Sequence, residues 1–541
     1  MSYLANQPIL ILKEGSARNR GKDAQRSNIS AARIVTEVVK TTLGPRGMDK
    51  MLVDSLGDVT VTSDGATVLD ELDVQHPAAK MLVEVAKTQD DEVGDGTTTA
   101  VVIAGELLRR AEMLLDQGLH PTVINAGFRK AEEKAMEVLA EIGKPVELKD
   151  TETLRKVALT SMGGKTLGAA ASEHSTKIGV EAMNQFLEKR GESFFADIEN
   201  IQLVKKEGKS LLDTELVRGV IVDKEVVHPG MPRRVEKARI ALLDMPLEIE
   251  KTEFSAEIKI SNPQQMQAFL DEETKLMKDM VDKVKESGAT VVMCQKGIDE
   301  VAQSFLAKAG ILAARRIKKS DVEKLSRATG ARIVTNLEDL GKADLGIAGL
   351  VEERKLGDDK MIFIQDSKDP KSVSILIRAG LERLVDEAER ALKDALSVVI
   401  DVVKKPRIVA GGGAVETELA KRIRDYATKI GGREQLAVEA FADSLEVIPR
   451  TLADNAGLEQ IDILVGLRAA HESKGLWSGI NVHIGEISDM WKEGVLEPLK
   501  VKEHAIGSAV EVASMILRID DVIAAAKPPP PPPGAGGHGP D

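Results

Sequence analysis

The stretch Gly94-Asp95-Gly96-Thr97-Thr98-Thr99 joins two segments with helical periodicity, residues 78–91 and 100–115. Glycines on both sides of an aspartate let the backbone approach a ligand with no Cβ in the way. The threonines start a helix, where unpaired amide N–H groups and the positive end of the helix dipole favour an anion. Asp95 stands where a hard cation can bridge it to phosphate oxygens. The stretch predicts a magnesium–nucleotide site, although an Asp-Gly turn before a threonine cap is also common as a purely structural element.

The composition is that of a large globular protein. A chain of 541 residues is too long for a single core, and 43% hydrophobic with 30% charged residues is typical of folded domains. The net charge of −13, from 74 basic and 87 acidic residues, argues against nucleic acid or an anionic membrane as a partner. Neither a signal peptide nor a membrane span is recognisable, and a single cysteine, Cys294, forms no internal disulfide. We therefore expect a cytoplasmic protein in which Cys294 is a buried core residue.

The order of elements predicts an α/β domain inserted into a helical one. Helical patterns dominate to about residue 145 and return from residue 380, with a first helix capped by Asn28 or Ser30. Between them, apolar runs alternate with helices, which indicates a sheet with parallel pairing. The other expected elements are a strand at 8–13, a hairpin from 51–53 and 59–62, an amphipathic helix at 262–286, and a disordered Pro/Gly tail at 528–541.

Several further positions have the chemistry of a phosphate site. Gly163-Gly164-Lys165-Thr166 looks like the end of a Walker A loop, but that motif needs glycine where Leu159 stands, so a P-loop is not supported. The glycine turns at 43–50 and 410–414 fit a nucleotide better, although each is also an ordinary cap. Asp64 and Asp394 are candidates to orient and deprotonate a water, or else solvated surface acids.

Five motifs in chain order carry a family resemblance. They are Leu43-Gly-Pro-Arg-Gly-Met-Asp-Lys50, Thr62-Ser-Asp-Gly-Ala-Thr67, Gly94-Asp-Gly-Thr-Thr98, Gly411-Gly-Gly413 and Glu486-Ile-Ser-Asp489. Over residues 8–526 the chain resembles the group II chaperonins, the TCP-1-like family that includes the archaeal thermosome subunits. The resemblance implies a multidomain α and α/β fold: a mostly helical equatorial domain, a small intermediate domain, and an inserted α/β apical domain with a helical protrusion.

The resemblance also implies domain limits. The equatorial, ATP-binding domain would span 1–150 and 405–527, the intermediate hinge domain 151–218 and 370–404, and the apical domain 219–369. A lid protrusion would occupy about 244–280, with Phe254, Ile258, Met266 and Phe269 as apolar contacts for a client, or else as one face of an ordinary surface helix. The Pro-rich tail departs from the Gly/Met-rich end of many members.

Site residues are implied one by one. Asp95 resembles the Mg²⁺ ligand, Asp394 the carboxylate that activates the attacking water, and Asp64 its neighbour. The residues that resemble the ATP/ADP contacts are Gly44, Gly96, Thr97, Thr98, Thr99, Gly164, Lys165, Gly411, Gly412, Asn481, Glu497 and Lys502. Among these, Lys165 would contact the γ-phosphate and couple it to domain closure.

The implied function is an ATP-dependent chaperone that encloses unfolded or partly folded polypeptides. Its subunits, identical or paralogous, would form stacked eight- or nine-membered rings, with no nucleic-acid or membrane partner.

Two other classes of function stay open. A small-molecule phosphotransferase would need a substrate pocket with its own polar cluster, which the sequence does not offer; a passive holdase would be expected to lack Asp64, Asp95 or Asp394, and all three are present.

Overall fold

The computed structural model describes residues 17–164, 167–185, 188–190, 193–196, 198–249, 263–367, 372–473 and 475–524. The expected strand at 8–13 and the tail at 528–541 lie outside these residues. The helices are α1 Gly21–Lys40, α2 Gly65–Glu71, α3 Pro77–Val93, α4 Thr97–Asp116, α5 Pro121–Ile142, α6 Thr151–Met162, α7 Ala169–Asn184, α8 Pro263–Ser287, α9 Glu300–Lys308, α10 Lys319–Thr329, α11 Glu382–Lys404, α12 Ala414–Ile430, α13 Gly432–Leu445, α14 Val447–Asn455, α15 Gln460–Glu472, α16 Met490–Glu493 and α17 Leu499–Leu517.

The strands are short and fall into several sheets. They are β1 Ala17–Arg20, β2 Lys50–Val53, β3 Val59–Thr62, β4 Lys144–Pro145, β5 Glu188–Arg190, β6 Ser193–Phe195, β7 Ile201–Glu207, β8 Glu215–Val217, β9 Gly219–Val222, β10 Arg234–Leu243, β11 Val291–Cys294, β12 Leu312–Ala314, β13 Ile333–Val334, β14 Gly346–Leu356, β15 Asp359–Gln365, β16 Val373–Ala379, β17 Arg407–Ala410, β18 Ser478–Asn481, β19 Glu486–Asp489, β20 Leu496–Pro498 and β21 Asp521–Ala524.

The chain divides into two compact units. The first contains residues up to Gly143, Val409–Glu493 and the chain from Val501 on; the second contains Lys144–Ile408 and Gly494–Lys500. When one domain is inserted into another, the host domain forms one compact unit from separate stretches of the sequence, as the first unit does.

The first unit is a helical bundle around α4. Every residue of α4 from Ala100 to Leu108 is buried, and the helix packs against α1, α3 and α13. A helix that is apolar on all sides belongs in the middle of a core. Phe128 of α5 and Phe441 of α13 add a ring contact at 6.1 Å between centroids.

The start of α1 differs from the prediction. The helix begins at Gly21, and Asn28 is buried two turns inside it rather than capping it. The preceding residue, Arg20, makes no side-chain capping bond, so the true start carries no capping signal for sequence analysis to find.

The hairpin prediction is confirmed. Strands β2 and β3 pair antiparallel, with Met51 opposite Val61, and β3 runs directly into the start of α2 at Gly65. The hairpin therefore delivers Asp64 and Gly65 to one place in the first unit.

The sheet of the second unit is mixed, so the expectation of parallel pairing was only partly right. Its order is β12-β11-β10-β14-β15-β9, with β13 also paired to β10. Strands β10, β11, β12 and β13 are parallel, whereas β14, β15 and β9 are antiparallel. The Gly357-Asp358 turn accounts for one of these antiparallel pairs, because it joins β14 and β15 into a two-residue hairpin. Strand β16, expected in this sheet, lies instead in a separate one between β7 and β8.

Both faces of the large sheet are covered. In β10, Ile240 and Leu242 belong to one apolar core, while Ala241 and Leu243 belong to the other. Helix α10 contributes to the first core, and α8 and α9 to the second. Burial on both faces explains why the strands are continuous apolar runs, and Cys294 is buried in the second core as expected.

Candidate nucleotide site

The Gly94–Thr99 stretch is a tight turn between α3 and α4. Gly94 closes α3 with φ 69° and ψ 9°, and Gly96 precedes α4 with φ 78° and ψ 12°, so both adopt the left-handed conformation that glycine tolerates. The first amides of α4, beginning at Thr97, have no carbonyl of the helix to bind. The half-buried Asp95 accepts a hydrogen bond from Gly96 N at 2.6 Å. The turn presents one carboxylate and a helix start to the same ligand.

A second helix start lies beside the first. Asp64 caps α2: its Oδ2 accepts from the backbone N and the hydroxyl of Thr67, both at 2.8 Å. A Cβ on Gly65 would collide with Oγ1 of Thr98 and would lie 3.1 Å from Thr98 N and 3.2 Å from Thr97 Oγ1. The structure thus brings Asp64 next to the threonines that start α4. Gly65 belongs to one of the five motifs but was assigned no role from the sequence. The signal that could have identified it is an Asp-Gly pair directly after a strand.

The turn that carries Gly44 is anchored to α14. Gly44 has φ +80°, and its free side is filled by Leu452. Asn455 donates from Nδ2 to the carbonyls of Leu43 at 2.9 Å and Lys40 at 3.2 Å. Asn455 is distant in sequence and was missed; only the contact reveals that it shapes this turn.

Gly411 and Gly412 lie against the strand that ends in Asn481. Ile480 N donates to Gly412 O at 2.9 Å, and a Cβ on Gly479 would lie 2.7 Å from Gly412 O and 3.2 Å from Gly411 O. The structure therefore brings Gly411, Gly412 and Asn481 together. The Asn481 Oδ1 accepts from His483 N at 3.1 Å, which fixes the following turn.

Lys502 forms a buried ion pair. Its Nζ lies 2.8 Å from Oε1 of Glu416 in the first turn of α12, and both side chains are almost inaccessible. Its neighbour Val501 fills the space beside Gly96. The first turn of α17 in this unit thus contacts the Gly96 turn and the helix that follows Gly411–Gly413, and Lys502 has a structural partner that sequence analysis did not identify.

The remaining predicted residues belong to the second unit. Asp394 is half-buried on α11, Gly164 follows the end of α6, and Glu497 lies in β20. Helices α6 and α11 pack against each other and against β20, and Leu496 N donates to Thr160 Oγ1 at 3.0 Å. Lys165 lies outside the described residues.

The donor set fits a magnesium–nucleotide complex. Among the described residues no three His, Cys, Asp or Glu side chains are grouped as a complete metal site. Magnesium usually takes one or two protein carboxylates and completes its shell with phosphate and water oxygens, so Asp95 beside an anion-binding helix start is sufficient. Glycine at position 65 lets the start of α2 lie directly against Thr97 and Thr98, so Asp64 and the first residues of α4 are close enough to act on one ligand.

The candidate client surface is only partly described. Phe269 on α8 is 42% exposed, next to Leu270 at 46%. Phe254 and Ile258 lie outside the described residues, as does the side chain of Met266. In the described part of the chain, no helix is both long and apolar enough to cross a membrane.

Comparisons with known proteins identify the family of the chain. Residues 35–527 match the model of the TCP-1/cpn60 chaperonin family. The chain is 60% identical over 524 residues to a thermosome subunit beta of Thermococcus kodakarensis, covering 97% of this chain and 96% of the relative. It is 59% identical over 518 residues to that of Sulfolobus acidocaldarius (96% and 94%) and 58% identical over 541 residues to a thermosome subunit of Pyrococcus horikoshii (100% and 98%). The chain therefore belongs to the TCP-1/cpn60 chaperonin family, as a group II chaperonin subunit: a nucleotide-binding ATPase and ATP-dependent chaperone that forms ring oligomers and binds unfolded polypeptides.

Proposed function

We propose that the first unit binds ATP as its magnesium complex at the paired helix starts, and that hydrolysis of this ATP drives protein folding. The observation that carries the proposal is the contact of Gly65 with Thr97 and Thr98, which places the N-terminal ends of α2 and α4 side by side. Two such ends bind the same polyphosphate better than either alone.

Each predicted residue then has a role. Gly44, Gly96 and Thr97–Thr99 hold the phosphates, Asp95 holds Mg²⁺, and Gly411, Gly412 and Asn481 line the nucleoside. Glu497 and Lys502 complete that end, Lys502 through its pair with Glu416. Lys165, together with Gly164, contacts the γ-phosphate and couples its presence to domain closure. Bound Mg²⁺ supplies neutralisation of the phosphate charge.

Hydrolysis follows from the carboxylates. Asp394 orients a water and accepts its proton as the water oxygen bonds to the γ-phosphorus, and Asp64 is the second candidate carboxylate for this step. The bond from that phosphorus to the β,γ-bridging oxygen breaks, which gives ADP and inorganic phosphate. A positioned general base contributes about 10²–10⁴-fold to such a step.

We further propose the assembly and the cycle. Equatorial (1–150, 405–527), intermediate (151–218, 370–404) and apical (219–369) domains build stacked rings of eight or nine identical or paralogous subunits in the cytoplasm. We assign to residues 244–280, of which 250–262 lie outside the described residues, the lid over a cavity that holds apolar segments of a client. Burial of such a segment is worth about 25 cal/mol per Å². ATP and ADP favour different lid positions and so drive the cycle.

The test is the recovery of a chemically denatured enzyme, with and without Mg-ATP, by the wild type and by Asp394→Ala. Native mass first establishes rings, since one subunit is 58.3 kDa. We expect ATP-dependent recovery that the variant lacks. Suppressed aggregation without ATP dependence would indicate a passive scaffold instead. No effect on the client would favour the alternative that the chain is a small-molecule phosphotransferase.

Magnesium is tested separately with Asp95→Ala. We expect a weaker affinity for Mg-ATP and little change in ATP affinity in EDTA, measured by calorimetry. Normal Mg-ATP affinity in this variant would contradict the role of Asp95.

A further inference from the structure

Gln89 holds the backbone of Asp95 from inside the protein. It lies on α3 and is fully buried. Its Nε2 donates to the carbonyl oxygen of Asp95 at 2.7 Å, and its own backbone carbonyl accepts from Gly94 N at 3.2 Å. One residue therefore binds the turn at two successive positions.

A histidine from α17 orients this amide. The Nδ1 of His504 lies 2.6 Å from Oε1 of Gln89. Because Nε2 of Gln89 is the donor to Asp95, Oε1 is an acceptor, and the proton of the second bond belongs to His504 Nδ1.

The peptide plane transmits this restraint to the carboxylate. The carbonyl of Asp95 and the N–H of Gly96 belong to one planar unit and point in opposite directions. Fixing the oxygen on Gln89 aims that N–H at Asp95 Oδ1, which it meets at 2.6 Å. Gly94 and Gly96, on either side of Asp95, both adopt the left-handed conformation and have no Cβ that would restrict the backbone.

We infer that Gln89, oriented by His504, is a positioning residue that sets the direction of the Asp95 carboxylate for Mg²⁺. The inference deepens the proposed nucleotide site and rests on it. Neither side chain touches the metal; both act through the backbone of Asp95, as the partners of metal ligands commonly do.

The first test is Gln89→Met in the full-length, assembled protein. Methionine is similar in size but has no donor. We expect the Mg²⁺ concentration that half-saturates ATP binding to rise about 10- to 100-fold, as is typical when the partner of a metal ligand is removed. ATP affinity in EDTA should stay unchanged.

Gln303→Met is the matched control. Gln303 is also buried and donates from Nε2 to a backbone carbonyl, that of Ile298, at the same 2.7 Å. It lies in the second unit. We expect this variant to lose stability as Gln89→Met does, with no change in the Mg²⁺ requirement. Equal Mg²⁺ midpoints in both variants and the wild type would overturn the inference.

A second pair keeps the test open if Gln89→Met fails to assemble. His504→Asn retains a donor where Nδ1 lies, whereas His504→Leu does not. We expect the leucine variant to need more Mg²⁺ and the asparagine variant to resemble the wild type; identical behaviour of the two would refute the role of His504.

Failure of this inference can be distinguished from failure of the proposed metal site. If ATP binding by Asp95→Ala no longer depends on Mg²⁺ while the Gln89 and His504 variants have the wild-type Mg²⁺ dependence, only this inference fails. If Asp95→Ala retains the wild-type Mg²⁺ dependence, the proposed metal site fails.

Discussion

Gly65→Ala is the substitution that most directly tests the paired helix starts. The added Cβ would collide with the hydroxyl of Thr98 and come within 3.1 Å of Thr98 N and 3.2 Å of Thr97 Oγ1. The backbone of α4 is fixed by its buried core, so the Thr98 side chain must rotate away.

The expected magnitude follows from the hydrogen bond that is lost. A bond from a hydroxyl to a charged phosphate is worth about 1.5–3 kcal/mol. Since about 1.4 kcal/mol is a factor of ten, ATP affinity should fall roughly 10- to 100-fold. Alanine is a better helix former than glycine, and thermal melting of the variant separates a loss of binding from a loss of folded protein.

The assay is calorimetric ATP binding to assembled rings, with Gly507→Ala as the control. Gly507 lies in the interior of α17, and a Cβ there would meet only Glu132 Oε1, at 3.6 Å. This control should gain the same helix stability and bind ATP normally. If the effect of Gly65→Ala runs through the Thr98 hydroxyl, adding Thr98→Val should cause little further loss. Unchanged affinity in Gly65→Ala, or full additivity with Thr98→Val, would refute the reasoning.

Three further predictions concern other parts of the chain. Asp394→Ala should bind ATP normally but hydrolyse it about 10²–10⁴-fold more slowly, and unchanged single-turnover rates would remove it from the mechanism. Lys502→Met leaves Glu416 as an uncompensated buried charge, so denaturant melting should show a loss of about 3–5 kcal/mol that Lys502→Met with Glu416→Leu largely restores. Burial alone would raise the pKa of Glu106, but Arg109 and neighbouring arginines outweigh it and hold that pKa below the ordinary 4.5. Its stabilisation should therefore be complete above that value and fade as the pH falls further, so the stability gap between the wild type and Glu106→Gln should close in acid; a gap independent of pH would contradict this.

The fold was predictable where local signals and burial agree. The β2–β3 hairpin, the α8 helix and the apolar strands β10 to β12 all carry strong periodicity or continuous apolar runs. The prediction was wrong where the sequence carried no local signal for the structure or where a short turn was overlooked. The start of α1 has no capping side chain, and the antiparallel pairing of β14 with β15 depends on a two-residue turn at Gly357-Asp358 that was overlooked.

The candidate site divides along the same line. The residues that we propose to face the ligand could be named from the sequence because glycine, aspartate and threonine have few alternatives near a phosphate. The residues that hold them are not: Asn455 under the Gly44 turn and Gln89 behind Asp95 look like ordinary helix residues until their donors are seen on distant carbonyls. A side chain that acts on the backbone of another segment leaves no local pattern.

The N-terminal part of α17 shows how residues that are close in sequence contact different segments. Val501, Lys502 and His504 lie within four positions. Val501 packs against Gly96, Lys502 pairs with Glu416 on α12, and His504 bonds to Gln89 on α3. Because successive residues of a helix point about 100° apart, one turn reaches three neighbours at once. A displacement of this part of α17 would therefore disturb the Gly94–Thr99 turn and the start of α12 together, so the two ends of the proposed nucleotide site should respond to substitutions in α17 as one unit.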